Sequence, residues 1–113
     1  MVAQAKLRVL ALLSELEDEL RQLGWWEQQA PSAQALQSQQ PFCVDTLEFS
    51  QWLQWIFVPR MQAIINSEQA LPAQCAIYEM AEMVYREKLA AVAGLLACLQ
   101  RIDAAVIAPH GLH

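Results

Sequence analysis

The sequence predicts an all-α fold: four main helices in a bundle, with the central helix kinked at Pro59 and a long connector between helices one and two. Apolar residues recur at helical spacing along most of the chain, and no stretch alternates apolar and polar residues as a strand would. Glycine, proline and polar clusters separate the helical segments. With 113 residues, 56% of them hydrophobic, we expect residues 1–113 to form a single helical domain.

The first helix is predicted over residues 3–23. Its apolar residues step by three and four positions and form one stripe, which is typical of a helix packed inside a bundle. These residues are Val9, Leu12, Leu13, Leu16, Leu20 and Leu23. Gly24 follows them, in the position where a residue in the left-handed conformation ends a helix.

The connector runs from Gly24 to Gln40 and is rich in glutamine. A connector of this length in a small domain needs contacts that hold it in place. We expect at least one of Trp25 and Trp26 to pack on the core. Ser32 is predicted to cap a short helical turn through Leu36.

The second helix is predicted from Thr46 to Asn66 and forms the centre of the bundle. Asp45 is the expected N-cap, and Glu48 lies three residues later, as in a capping box. Apolar residues cover most of this helix, which is typical of a helix buried on most sides. We therefore expect at least one of Trp52 and Trp55 to be fully buried.

Pro59 lies inside this helical pattern and cannot donate a hydrogen bond to the carbonyl of Trp55. Because apolar positions continue beyond it, we expect a kink rather than an end. Arg60 follows, and two interpretations are open: a structural arginine that closes the bend, or an anchor for an anionic ligand or partner. We favour the structural interpretation, in which Arg60 is internal and paired with a carboxylate. The available carboxylates are those of Asp45, Glu79 and Glu82.

The third helix is predicted from Ala73 to Val84 or Tyr85, and the fourth from Glu87 to Ile107. The charged residues 86–88 between them are compatible with either a bend or one continuous helix. A face of small residues on the fourth helix would let another helix approach closely, and we expect the indoles of the second helix to occupy it. These small residues are Ala90, Ala93, Gly94 and Ala97.

Charge, cysteine content and the length of the apolar runs disfavour several classes of function. The net charge of -5 and the pI of about 4.8 disfavour direct nucleic-acid binding, because an acidic protein repels phosphate backbones. Three widely spaced cysteines without a Cys-x-x-Cys motif predict free thiols in a cytoplasmic protein. The longest apolar run is too short to span a membrane.

Motifs for catalysis, cofactors or metals are not found in the sequence. Both histidines fall in the last four residues, the three glycines are isolated, and no cysteine or histidine pair has ligand spacing. The paired carboxylates of Glu79 and Glu82 are typical of a solvated helix face. We expect no cofactor and no metal, and nothing in the sequence indicates an enzyme.

Several short motifs carry a resemblance to a known family. They are Pro-Phe-x-x-Asp-Thr at residues 41–46, Trp-Leu-Gln-Trp at 52–55, Pro-Arg-Met at 59–61, Leu-Pro at 71–72 and Tyr-Glu-Met-Ala at 78–81. The chain resembles the YqcC-like family of small uncharacterised bacterial proteins over most of its length. The resemblance implies an all-helical bundle with no assigned activity. It also implies a link to a tRNA pseudouridine synthase, because family members are often encoded beside one.

Two functional hypotheses follow. The first is a non-catalytic protein-interaction or accessory module with a protein partner, which the resemblance suggests is a tRNA-modifying enzyme; a homodimer is also compatible with the surplus of apolar residues. The second is a small-ligand-binding protein or an unrecognised enzyme that uses the region of Trp52, Trp55 and Arg60. Tryptophan and arginine are enriched at interface hot spots, so the candidate binding residues are Asp45, Trp52, Trp55 and Arg60.

Overall fold

The computed structural model describes residues 2–110 of the chain, and residues 1 and 111–113 lie outside the described residues. Its helices are α1 (Val2–Gln22), α2 (Ala33–Leu36), α3 (Phe49–Trp52), α4 (Val58–Ile65), α5 (Ile77–Val84) and α6 (Ala93–Ile107). A π turn, Leu53–Phe57, joins α3 to α4, and 3-10 turns occupy Pro41–Cys43 and Ala108–His110. We call α3, the π turn and α4 together the central helix. Residues 2–110 contain no strand, which confirms the all-α prediction with α1, the central helix, α5 and α6 as the four main helices.

The core lies between α1 and α6, which run antiparallel. Glu19 of α1 lies beside Gly94 at the start of α6, whereas Ala5 and Arg8 lie beside the last turns of α6. The predicted stripe of α1 is buried, as are the apolar positions of α6 that face it. The buried residues of these two helices include Val9, Leu13, Leu16, Leu20, Leu95, Leu99, Ile102 and Val106.

The C-terminal end of α1 follows the prediction. Gly24 has a positive φ of 77°, the amide of Gly24 donates to the carbonyl of Arg21 (3.0 Å), and the amide of Trp25 donates to that of Leu20 (2.9 Å). This pair of bonds is a Schellman motif, which satisfies carbonyls that the helix leaves without partners. At the other end of the same helix, buried Lys6 donates from Nζ to the carbonyl of Ser67 (2.8 Å), just beyond α4.

The N-terminus of the central helix differs from the prediction. The helix begins at Phe49, its N-cap is Glu48, and the capping box is completed by Gln51. Asp45 is therefore not the N-cap. Residues 43–47 instead form tight turns, in which the amides of Thr46 and Leu47 both donate to the carbonyl of Cys43, so the helix cannot begin at Asp45.

Pro59 is accommodated by the π turn. The amide of Val58 donates to the carbonyl of Leu53, five residues back, and this wider turn places Pro59 in the first turn of α4. Proline is tolerated in a first helical turn because the amide there has no intrahelical partner. The helix thus continues beyond Pro59 as predicted, and the predicted disturbance takes the form of a π turn before the proline.

The last two helices begin later in the chain than predicted. α5 starts at Ile77 rather than Ala73, because Asp103 of α6 caps it: the amides of Ile77 and Tyr78 donate to its two carboxylate oxygens (3.1 and 2.9 Å). α6 starts at Ala93 rather than Glu87. Residues 85–92 form successive turns, so α5 and α6 are separate helices.

The small residues near the start of α6 do not receive the indoles of the central helix, contrary to the prediction. Ala90, Ala93, Gly94 and Ala97 are all exposed. A side chain at Gly94 would overlap the carboxylate of Glu19, so this glycine permits close contact with α1 instead. Among the described residues, no helix is long and apolar enough to cross a membrane.

Candidate functional site

Glu27 ties the connector to the central helix. Its amide donates to Oε1 of Gln54, and Nε2 of Gln54 donates back to its carbonyl, each over 2.8 Å. Its carboxylate accepts from Nε2 of Gln51 (3.0 Å) and from Nε1 of Trp55 (3.0 Å). The three partners lie at helical spacing on one face of the central helix, so this short connector segment is fixed along the face.

The Trp-Leu-Gln-Trp motif therefore has a structural role. Leu53 is fully buried, and Gln54 is the one buried residue of the central helix that is polar. Gln54 is tolerated there because both ends of its amide are hydrogen-bonded to the backbone of Glu27. Trp55 donates its indole N–H to the carboxylate of Glu27. Three of the four motif residues therefore pack in the core or bind the connector.

The Pro-Phe-x-x-Asp-Thr motif also fixes the connector. Asp45 accepts a hydrogen bond from the hydroxyl of Ser38, and Oγ1 of Thr46 donates to the carbonyl of Ala35 (2.7 Å). Phe42 and Cys43, which lie between α2 and Asp45 in the sequence, adopt positive φ angles of 57° and 50°. Such angles are unfavourable for residues with a side chain, and the surrounding contacts must compensate for them.

One of those contacts is an aromatic cluster around Trp52. The ring centroids of Phe42 and Trp52 are 4.8 Å apart in an edge arrangement, and Trp52 also contacts Phe49 (5.8 Å) and Phe57 (5.6 Å). Phe49 and Phe57 are buried, whereas Phe42 and Trp52 are half-buried. The cluster thus joins the core to the surface, where its two outer rings remain accessible.

Two adjoining grooves flank these outer rings. One, of about 240 Å³, runs between the central helix and residues 72–77; the other, of about 420 Å³, runs toward α2 and the turn at 38–43. Phe42, Trp52 and Arg60 line both grooves, and Arg60 is the one charged residue among the described residues that line them. We call the two grooves with these three residues the Arg60 surface.

Arg60 is exposed, which corrects the preferred interpretation of it as an internal residue. Neither of the two salt bridges among residues 2–110 involves it, since they join Arg21 with Glu17 and Arg101 with Glu15. No carboxylate is needed to neutralise it because its guanidinium faces solvent.

The expectation that Trp52 or Trp55 is fully buried is also wrong, since both are half-buried. Each keeps one side accessible because the core beneath the central helix is filled by Leu53 and Phe57.

The structure thus brings two of the four predicted binding residues together. Trp52 and Arg60 share the Arg60 surface. Trp55 instead donates a hydrogen bond to Glu27, and Asp45 accepts one from Ser38. Neither residue lines the grooves. Phe42 was not among the predicted binding residues. The Pro-Phe motif that precedes the central helix is the sequence signal that could have identified it.

A second apolar area borders the Arg60 surface. Val44 and Val84 line a small groove of about 170 Å³ together with Phe42 and Met80. Val44 is 60% exposed and Val84 41%, and Met83, which precedes Val84 on α5, is 65% exposed. We call Val44, Met83 and Val84 the α5 patch.

The connector is held on the core by its two tryptophans, as predicted. Trp25 stacks on Tyr85 with ring centroids 5.2 Å apart, and the guanidinium of Arg21 lies 5.3 Å from the ring of Trp26. Ser32 caps α2 by accepting from the amide of Ala35 (3.1 Å), also as predicted. Burial, followed by the nearby charge of Glu48, raises the pKa of Tyr85 to about 12.

The three cysteines are free, and none has the features of a reactive thiol. Cys43 and Cys98 are buried, and Cys75 is half-buried beside the start of α5. Burial, then a hydrogen bond with Asp103, raises the pKa of Cys75 to about 12, and burial raises the pKa of Cys98 to about 11. Thiolates are the reactive form, so these shifts oppose nucleophilic chemistry at both residues. No group of acidic, histidine or cysteine residues within residues 2–110 could hold a metal ion.

The sequence and the structure are similar to those of several known proteins. The model of the DUF446 family, described as tRNA pseudouridine synthase C, matches residues 8–105. An uncharacterised protein of Haemophilus influenzae is 41% identical over 75 residues, which are 66% of this chain and 71% of that protein. The uncharacterised protein YqcC of Escherichia coli is 36% identical over 97 residues, 86% of this chain and 89% of that protein. The solution NMR structure of YqcC matches with a TM-score of 0.85 at 33% identity, covering 100% of this chain and 95% of that one.

A longer protein also shares part of the sequence. The tRNA pseudouridine synthase C of Pectobacterium carotovorum subsp. carotovorum is 43% identical over 60 residues, which are 53% of this chain and 16% of that protein. The similarity therefore covers a small part of the longer protein, and about half of this chain.

Proposed function

The chain belongs to the YqcC-like DUF446 family, and on this basis we propose that it is a non-catalytic protein-interaction module that accompanies a tRNA pseudouridine synthase. The observation that carries the proposal is the 60-residue similarity to a longer protein that bears the name of such a synthase. Sequences that occur within one polypeptide in one organism and as a separate chain in another often act together. A separate chain must then recognise the enzyme through its own surface.

The α5 patch supports an interaction role. Its three residues are apolar and 41–65% exposed, and two of them, Val44 and Val84, line a groove with the half-buried ring of Phe42. Exposed apolar side chains that adjoin aromatic residues are typical of sites for protein partners. Methionine, which occurs here at Met80 and Met83, adapts its shape to different apolar surfaces.

The alternative function, a small-ligand site or an enzyme at Trp52, Trp55 and Arg60, has weaker support. Trp55 is committed to Glu27 and does not line the grooves. The groove between the central helix and residues 72–77 has a volume of about 240 Å³, below the roughly 300–1,000 Å³ of ligand pockets, and the adjoining groove of about 420 Å³ falls within that range but is lined in part by Ser38 and Gln40. Among the residues that the structure describes, no carboxylate, histidine or lysine that could transfer a proton lines either groove.

A cytoplasmic location is part of the proposal. Three free cysteines, two of them buried, are typical of a protein that folds in a reducing compartment. The proposed partner is named for an action on tRNA, which supports the same location.

Co-elution of purified proteins tests the proposal. The chain and the tRNA pseudouridine synthase of the same bacterium are mixed and separated by size exclusion with light scattering, and we expect a complex of the summed mass. Met83→Glu should reduce the complex because it places a charge in the α5 patch. Leu7→Glu is the matched control, since Leu7 on α1 is 64% exposed and Met83 is 65% exposed.

Two outcomes would contradict the proposal. Separate elution of the wild-type chain and the synthase would argue against a direct partnership. A mass of the isolated chain twice that of the monomer, together with loss of that dimer in Met83→Glu, would assign the α5 patch to a homodimer instead.

A further inference from the structure

Arg60 has no partner among the described residues, unlike four of the other six basic residues of the chain. Arg21 pairs with Glu17, Arg101 pairs with Glu15, and Lys6 donates to a backbone carbonyl. Lys88 lies over the ring of Trp25, 5.7 Å from its centroid. Within residues 2–110, Arg60 has no ion pair, hydrogen bond or ring contact, although the protein carries an excess of acidic residues.

The surroundings of Arg60 are mainly apolar on one side. The groove on one side is lined by Phe42, Trp52 and Phe57 and by aliphatic residues of α4 and of the segment before α5. On the other side, Pro41 and Ile56 are apolar, whereas Ser38 and Gln40 make the lining partly polar. An arginine beside the apolar groove presents five N–H donors next to apolar surface that a partner can cover.

We propose that the Arg60 surface receives a segment of the partner protein in which an apolar side chain is followed or preceded closely by an aspartate or glutamate. The apolar side chain enters the groove beside Phe42 and Trp52, and the carboxylate pairs with the guanidinium of Arg60. This inference rests on the proposed function and identifies the surface that would contact the synthase.

Charge complementarity selects this occupant. Arg60 is the one charged residue among the described residues that line the grooves, so the unsatisfied group of the site is a single cation. A planar guanidinium forms two parallel hydrogen bonds with a carboxylate, and covering the pair with apolar surface strengthens it by excluding water. A volume of about 240 Å³ admits one or two side chains, which fits a short segment of protein.

An RNA strand is the competing occupant, since Phe42 and Trp52 offer ring faces and edges for bases and Arg60 could bind a phosphate. The net charge of -5 opposes it, because a single cation cannot offset the repulsion between an acidic protein and a polyanion. The protein occupant needs one carboxylate, which the single arginine can neutralise.

Titration of purified tRNA pseudouridine synthase with the intact chain tests this inference. Arg60→Glu should raise the Kd by at least about tenfold, because it places two carboxylates opposite each other. Arg60→Gln, which removes the charge alone, should give a smaller increase and a weaker dependence of the Kd on salt. Arg8→Glu, which makes the same change of charge at an exposed position on α1, should change the Kd by less than about threefold.

The outcomes separate this inference from the proposed function. If the wild-type chain does not bind the synthase, the proposed function is wrong and this inference falls with it. If wild type and Arg60→Glu bind with the same Kd, the chain binds the synthase through another surface and this inference alone is overturned. It is also overturned if Arg60→Glu loses affinity for free tRNA while it keeps its affinity for the synthase. Equal melting temperatures of the variants would exclude unfolding as a cause.

Discussion

The backbone of Glu27 and the side chain of Gln54 exchange two hydrogen bonds, each 2.8 Å long, across 27 residues of sequence. Gln54 is buried, and the amide group of its side chain is satisfied at both ends by one residue of the connector. The pair explains why a connector with little helical structure of its own keeps one position, and why a polar residue is tolerated inside the central helix.

Replacing Gln54 with leucine should destabilise the protein. Leucine fills a similar volume but leaves the amide and the carbonyl of Glu27 without their partners in a half-buried position. We expect a loss of about 2–4 kcal/mol in the free energy of unfolding, from two polar groups left unpaired. Urea denaturation followed by circular dichroism measures it. Gln62→Leu, at an exposed position of α4, is the matched control, and equal stability of the two variants would contradict the role given to Gln54.

Removing the carboxylate of Asp103 should loosen the start of α5. Both oxygens of Asp103 accept from amides at the N-terminus of that helix, so Asp103→Ala should cost about 1–2 kcal/mol, as for the loss of an N-cap. Hydrogen exchange of the Ile77 and Tyr78 amides should accelerate more than that of amides in α1. Asp18→Ala, at an exposed position of α1, should leave exchange at α5 unchanged. Unaltered protection of Ile77 and Tyr78 in Asp103→Ala would show that they do not depend on this cap.

These two relationships mark the boundary of what the sequence could predict. The apolar stripe of α1, the left-handed Gly24 and the cap of α2 by Ser32 are local signals, and each was predicted correctly. The start of α5 was not, because its capping carboxylate lies 26 residues further along the chain on α6. Asp45 and Glu48 are both good N-caps by residue type, and the turns at residues 43–47 decide between them.

The candidate site shows the same division. Trp52 and Arg60 lie two helical turns apart, so their placement on one surface follows from the helix itself. The exposure of Arg60 depends on how residues 72–77 pack against the central helix, which no local pattern specifies. The bond from Trp55 to Glu27 spans 28 residues and is likewise a property of the whole fold.

Tyr85 should make stability sensitive to alkaline pH. Burial raises its pKa from 10.0 to about 12 in the folded protein, so between pH 10 and pH 12 the unfolded chain binds fewer protons than the folded one. The contribution of Tyr85 to the free energy of unfolding is therefore fully present below pH 10 and is lost as the pH rises toward 12. The free energy of unfolding of Tyr85→Phe should fall less steeply over this range than that of wild type. The cysteines affect both proteins alike, so parallel curves would contradict the assignment to Tyr85.

Free tRNA should not bind the isolated chain appreciably at physiological salt. The net charge is -5, and two of the five arginines are already paired with carboxylates in the structure. A filter-binding titration with unmodified tRNA measures this directly, with the synthase as the positive control. Saturable binding of the chain alone at micromolar concentrations or below would instead favour RNA as the occupant of the Arg60 surface.

The most direct measurement is the affinity of the purified chain for the tRNA pseudouridine synthase of the same organism, determined by isothermal titration calorimetry in the absence of tRNA. We expect saturable one-to-one binding with a Kd of about 10 μM or tighter, as for a small specific interface. The absence of any binding heat with both proteins at about 100 μM, at two temperatures, would contradict the proposal that this chain is a partner of the enzyme.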